Sequence, residues 1–103
     1  MSFMMQAGMI EFRSQGRPET QGNDLSRFEE VEFATPFPPN TEVIVIPAVQ
    51  TFRGPDTPDL RIADVGRRGF KARMNELVAR TNAVSDGNHT VETIAYIAIG
   101  VPK

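Results

Sequence analysis

The sequence predicts an all-β fold: one domain spanning residues 1–103, built as a small antiparallel sandwich of about six strands. Three observations carry that expectation. Eight glycines, eight prolines and seven phenylalanines, with no tryptophan, suit a turn-rich chain better than a helical bundle, where proline is costly. Alternating runs of five to eleven residues recur between Gly- and Pro-bearing turns. Residues 91–101, V-E-T-I-A-Y-I-A-I-G-V, are apolar on both faces: Ile94, Tyr96 and Ala98 point one way, Ala95, Ile97 and Ile99 the other. Such a strand needs a core on one side and a second covering layer on the other, for which another subunit is a candidate.

The other elements follow in order. Gly8 to Arg13 alternates, with Ile10 and Phe12 on one side, and is the first strand. Ser14 to Ser26 is nearly free of apolar residues and reads as a long surface loop, of a length that is frequently functional. Glu29 to Ala34 sets Val31 and Phe33 against Glu30 and Glu32, and the P-F-P-P run at Pro36 to Pro39 ends it. Glu42 to Gln50 is β-branched on both faces, and Pro47 within it implies an edge position, a bulge or the end of pairing. Thr51 to Asp59 carries the turn pairs G-P and T-P and reads as a second exposed loop. Leu60 to Val65 and Gly69 to Asn75 form a hairpin around Gly66-Arg67-Arg68-Gly69, whose glycines can adopt the positive φ of tight turns. In its second strand Phe70, Ala72 and Met74 face the core, while Lys71, Arg73 and Asn75 face out. Glu76 to Thr90 fits a short helix or a continued strand equally well, with a turn at Asp86-Gly87-Asn88.

Composition narrows the function classes. With 11 basic and 13 acidic residues the net charge is −2, so no general attraction to nucleic acid or to an anionic membrane is implied. No segment approaches the roughly 20 apolar residues that span a bilayer. The absence of cysteine removes disulfides, thiolate catalysis and thiolate zinc sites together, and leaves the compartment open. Met1 to Met9 lacks the basic start and long apolar run of a signal peptide, so an extracellular role implies release by lysis, by a dedicated machine or as part of a particle.

The candidate chemistry is sparse. The only histidine, His89, lies in D-G-N-H-T, where a lone loop imidazole is ordinarily solvated, and no G-x-S-x-G context supports a catalytic triad. Asp24, Asp56, Asp59, Asp64 and Asp86 lack the spacing of a calcium loop and read as turn caps. Glu29, Glu30 and Glu32 form the wet face of a strand rather than a convergent acid pair. Arg67 and Arg68 at a hairpin tip suggest anion binding, against the simpler reading of a soluble hairpin. Neither a metal nor another cofactor is expected, and an enzyme is the least favoured class.

Five pieces in order carry a resemblance: Q-A-G-M-I at Gln6 to Ile10, V-E-F-A-T-P-F at Val31 to Phe37, E-V-I-V-I-P-A-V at Glu42 to Val49, D-L-R with G-F-K-A at Asp59 to Arg61 and Gly69 to Ala72, and I-A-Y-I-A-I at Ile94 to Ile99. Together they resemble the H-type lectin domain, the family of snail agglutinins and of the discoidin C-terminal domain. The resemblance implies a trimeric sandwich that binds cell-surface glycans of the galactose or N-acetylgalactosamine type. Carried over position by position, Gly22-Asn23-Asp24 resembles the family's Gly-x-Asp loop, with Asp24 accepting from sugar hydroxyls, and Arg61 resembles its sugar-donating arginine. Where the family commonly has a Trp-His pair this chain has Glu76-Leu77, so the apolar ring would come from Phe52, His89 or a neighbouring subunit. The alternative is an assembly protein, a spike or tail component of a phage-like particle, that keeps the trimeric sandwich without sugar binding and contacts other proteins of that assembly.

Overall fold

A computed structural model describes residues 4–14, 16–77 and 88–103. Six antiparallel strands, β1 (Met4–Ser14), β2 (Glu29–Glu32), β3 (Thr41–Val49), β4 (Thr57–Ala63), β5 (Gly69–Leu77) and β6 (His89–Pro102), form two three-stranded sheets. One sheet runs β1-β6-β3 and the other β2-β5-β4. The all-β sandwich expected from the sequence is the observed architecture.

The long two-faced strand β6 is central in its sheet, paired from Met4↔Gly100 to Ser14↔His89 on one side and from Thr41↔Pro102 to Val49↔Ile94 on the other. Its inward residues Glu92, Ile94, Tyr96, Ala98 and Gly100 are buried. Pro47 lies opposite Tyr96 on the edge strand β3, the first of the three placements its ring allows. Phe33, Phe37, Phe70 and Tyr96 meet between the sheets, Phe33–Phe37 and Phe70–Tyr96 as edge-to-face pairs with centroids 5.4 and 5.1 Å apart. Aromatic quadrupoles favour that geometry, and it fills the sandwich without tryptophan. Phe12, Met74 and Ile94 complete the core.

The outer face of β1-β6-β3 carries Met5, Met9, Ile44, Ile46 and Ile97, all exposed, with Ile46 54% accessible. Among the described residues nothing covers it.

Several boundaries differ from the sequence reading. β1 begins at Met4 rather than Gly8, because the Met4–Ala7 segment continues the ladder along Ile97 to Gly100. β4 begins at Thr57, inside the expected loop: it pairs only with β5, so Pro58 sits on an edge where its missing N–H costs no bond. The β2 ladder stops at Glu32, yet the amides of Phe33 and Phe37 still donate to the carbonyls of Arg68 and Arg67. At the β4–β5 connection neither Gly66 nor Gly69 has a positive φ; Asp64 does, at 50°. Residues 76–77 extend β5 and 89–90 open β6, while 78–87, with most of the expected turn at Asp86-Gly87-Asn88, lie outside the described residues.

Candidate functional site

Directly opposed residues of an antiparallel pair share a face, so the pairs Asp59↔Asn75 and Arg61↔Arg73 line up on the outer face of β4 and β5. Facing out does not leave them all wet. The loop between β1 and β2 folds over this face and buries Arg73 and Asn75. Arg73 anchors the loop: its Nη2 donates to the carbonyls of Gly16 (3.0 Å) and Arg17 (3.2 Å), and its Nε lies 3.4 Å from Glu19 Oε1. Arg27 also donates to the Arg17 carbonyl, and the Gly16 amide donates to Asn88 Oδ1 at 2.8 Å, tying the loop to the approach of β6.

Between loop and sheet lies a cleft of about 470 Å³. Three of the residues expected at a binding site, Gly22, Asp24 and Arg61, line it together, with Glu19, Asp59 and Asn75 towards the sheet. Asp24 does the turn-capping work that its loop position implies. Its Oδ1 accepts from the Ser26 hydroxyl (2.7 Å) and amide (3.2 Å), and these bonds hold its carboxyl below the ordinary range. Both bonds fall on Oδ1. Arg61 is exposed and has no hydrogen bond or ion pair among the described residues. Half-buried Phe28 supplies an apolar wall. Phe28 lies between the expected loop and strand and belongs to neither pattern; the one signal for it in the sequence is an aromatic directly after a long polar loop.

Phe52 and His89 do not line the cleft. Phe52 projects from the β3–β4 connection with 86% of its surface exposed. His89 is not a solvated loop residue: it opens β6 and is buried. Its Nε2 lies 2.9 Å from Glu92 Oε2 and its Nδ1 3.9 Å from Glu76 Oε2. Glu92, itself 1% exposed, also accepts from Thr51 Oγ1 (2.7 Å) and from the amides of Arg53 (3.0 Å) and Gly54 (3.1 Å). Burial pushes the Glu92 carboxyl up, but the bonds from His89, Thr51 and the two amides outweigh it and hold the pKa at about 2. Above this cluster Arg53 pairs with Glu11 at 2.7 Å, and Glu11 also accepts from Thr93 Oγ1 at 2.6 Å. These groups staple the β3–β4 connection to β6, and within them His89 Nδ1 is buried without a hydrogen bond.

A second cleft of about 460 Å³ lies at the tip that carries Arg67 and Arg68. Arg67 Nε donates to the Phe37 carbonyl, Lys71 pairs with Asp64 at 3.6 Å, and Glu30 and Glu32 stand on the same wall as the exposed Arg68, so the tip mixes both signs of charge. Among the described residues no group of three or more His, Asp or Glu side chains is placed to hold a metal ion. Compared with known proteins, the chain matches no family model, no curated protein and no solved structure.

Proposed function

We propose that this protein is a non-catalytic carbohydrate-binding module that takes a glycan of the galactose or N-acetylgalactosamine type in the cleft between the β1–β2 loop and the outer face of β4 and β5. The observation that carries the reading is the meeting of the loop residues Gly22 and Asp24 with Arg61, distant in sequence on β4, in one polar cleft that also contains Phe28. A pyranose needs directional partners for its hydroxyls and an apolar surface for its C–H face. Asp24, Asp59 and Asn75 accept, Arg61 donates, and Phe28 takes the place that the absent tryptophan leaves open. The imidazole of His89, buried between the sheets on the side of β5 away from the cleft, takes no part in it.

A glycan array probed with labelled protein tests it: selective binding that free sugar competes supports the reading, and a blank array with folded protein defeats it. Arg61→Ala is expected to weaken the best glycan about tenfold, since a bond to a charged donor is lost, while leaving the thermal midpoint within about 2 °C. An unchanged affinity would place the site elsewhere.

A second reading, an assembly role in a particle, is favoured by the exposed apolar face of β1-β6-β3. The two readings share a homotrimer, in which that face packs against other subunits and several weak sites act by avidity. Ile46→Lys, at the middle of the face, is expected to convert a self-associated species to monomer in sedimentation velocity. Its effect on the unfolding free energy of the monomer should stay within about 0.5 kcal/mol, as for other exposed positions. A wild-type protein that sediments as a monomer at micromolar concentration rules the trimer out.

A further inference from the structure

The back of the cleft, where the outer face of the sheet passes beneath the loop, brings several acceptors together. Asn75 is 8% exposed and its Oδ1 has no hydrogen-bond partner. Glu19 Oε2 is buried without one as well. Asp59, the cross-strand partner of Asn75, adds a further carboxylate from β4. The cation beside them is already committed: Arg73, 2% exposed, gives its guanidinium to the carbonyls of Gly16 and Arg17 and to Glu19. Arg61, the donor with no partner among the described residues, is exposed and pairs across the strands with Arg73 rather than with Asn75.

Resting on the carbohydrate reading, we propose that Asn75, Glu19 and Asp59 set the ligand class: the cleft takes a neutral or amino sugar through its hydroxyl or ammonium donors and rejects sugars carrying a carboxylate or a sulfate. A hydroxyl rotates to donate and an ammonium group donates three times, whereas an ionised carboxylate only accepts. An anionic sugar that turns its carboxylate or sulfate to these acceptors leaves them unmatched, and in any pose it brings like charge towards Glu19 and Asp59, the two ways in which a site discriminates against a close relative. The torsion that turns an asparagine amide is soft, so Asn75 can present its oxygen to an incoming donor.

Titration calorimetry on the intact chain at neutral pH, with galactose, galactosamine in its protonated form and galacturonate, tests the inference on unmodified protein. Galactosamine is expected to bind several-fold more tightly than galactose, and galacturonate at least tenfold more weakly than galactose. Asn75→Leu should weaken galactose and galactosamine about tenfold. Asn75→Asp, which keeps the shape and the acceptors and adds charge, should widen the preference for galactosamine over galactose. The Asn75→Asp measurement remains decisive if Asn75→Leu fails to fold. Galacturonate binding as well as galactose, or an unchanged preference in Asn75→Asp, overturns this inference and leaves the carbohydrate reading standing. Binding of none of the three sugars, nor of N-acetylgalactosamine, overturns both.

Discussion

Replacing Glu92 by alanine is expected to lower the unfolding free energy by about 3–5 kcal/mol at neutral pH, because it takes one buried acceptor away from several donors at once, each costing about 1–3 kcal/mol when left unsatisfied. Against a total of about 5–15 kcal/mol for a domain of this size, that is the largest single-residue effect foreseen here. The loss is large because Glu92 serves several donors at once. Without it, His89 Nε2, the Thr51 hydroxyl and the amides of Arg53 and Gly54 all lose their acceptor. Glu92→Gln keeps an acceptor oxygen and should cost less, about 1.5–3 kcal/mol, the value of hydrogen bonds to a charged group. The pH dependence follows from the depressed pKa. Glu92 lies at about 2 in the fold against an ordinary 4.5, so the unfolded chain takes up this proton first. The contribution is complete above about pH 4.5 and is lost as the pH falls through about 2. Urea midpoints between pH 7 and pH 2 check this: wild type and Glu92→Gln should converge in acid, and parallel curves would mean that Glu92 titrates normally.

Gly69→Ala is expected to cost about 3 kcal/mol or more. A Cβ at Gly69 would lie 2.1 Å from the Val31 carbonyl oxygen and 3.0 Å from Glu32 Cα. Both obstacles are backbone of the short strand β2, whose pairing with β5 ends at Glu32↔Gly69. A side chain could rotate away from a new methyl group; a strand can only shift. The shift would disturb Val31 and Phe33, which close the core on that side. Gly66→Ala is the control: its Cβ meets nothing within 4 Å and its φ is not positive, so restricting the unfolded chain should leave stability unchanged or raise it by up to about 1 kcal/mol. Equal losses in the two variants would show that turn flexibility, rather than close approach, is what Gly69 provides.

The alternation of β6 made its place legible, because a run that is apolar on both faces can only be a central strand or a covered one. Pro47 was legible in the same way, since the ring permits few placements. The start of β4 was not, because T-P reads as a turn until the strand is known to lie at an edge. Local pattern correctly assigned Arg73 and Asn75 to the outer face. Their burial was beyond it, being imposed by a loop whose carbonyls lie 56 and 57 residues away from Arg73 in the chain. His89 failed for the related reason that a turn dipeptide next to a strand says nothing about which layer the first strand residue enters. In the cleft, Gly22, Asp24 and Arg61 came from resemblance, whereas Phe28, Asn75 and Glu19 depend on the path of the loop.

Neighbouring positions of β5 serve opposite sides of its sheet. Arg73 and Asn75 hold the loop and the cleft, while Met74 lies in the core and Glu76 approaches His89. A slip of one residue against β4 would exchange the two sets, sending a guanidinium and an amide inward and a methionine outward, and would unseat the loop in the same movement. Misaligned chains therefore lose the core and the seated loop together, which makes protection of that loop from proteolysis a direct assay for correctly zipped molecules during refolding.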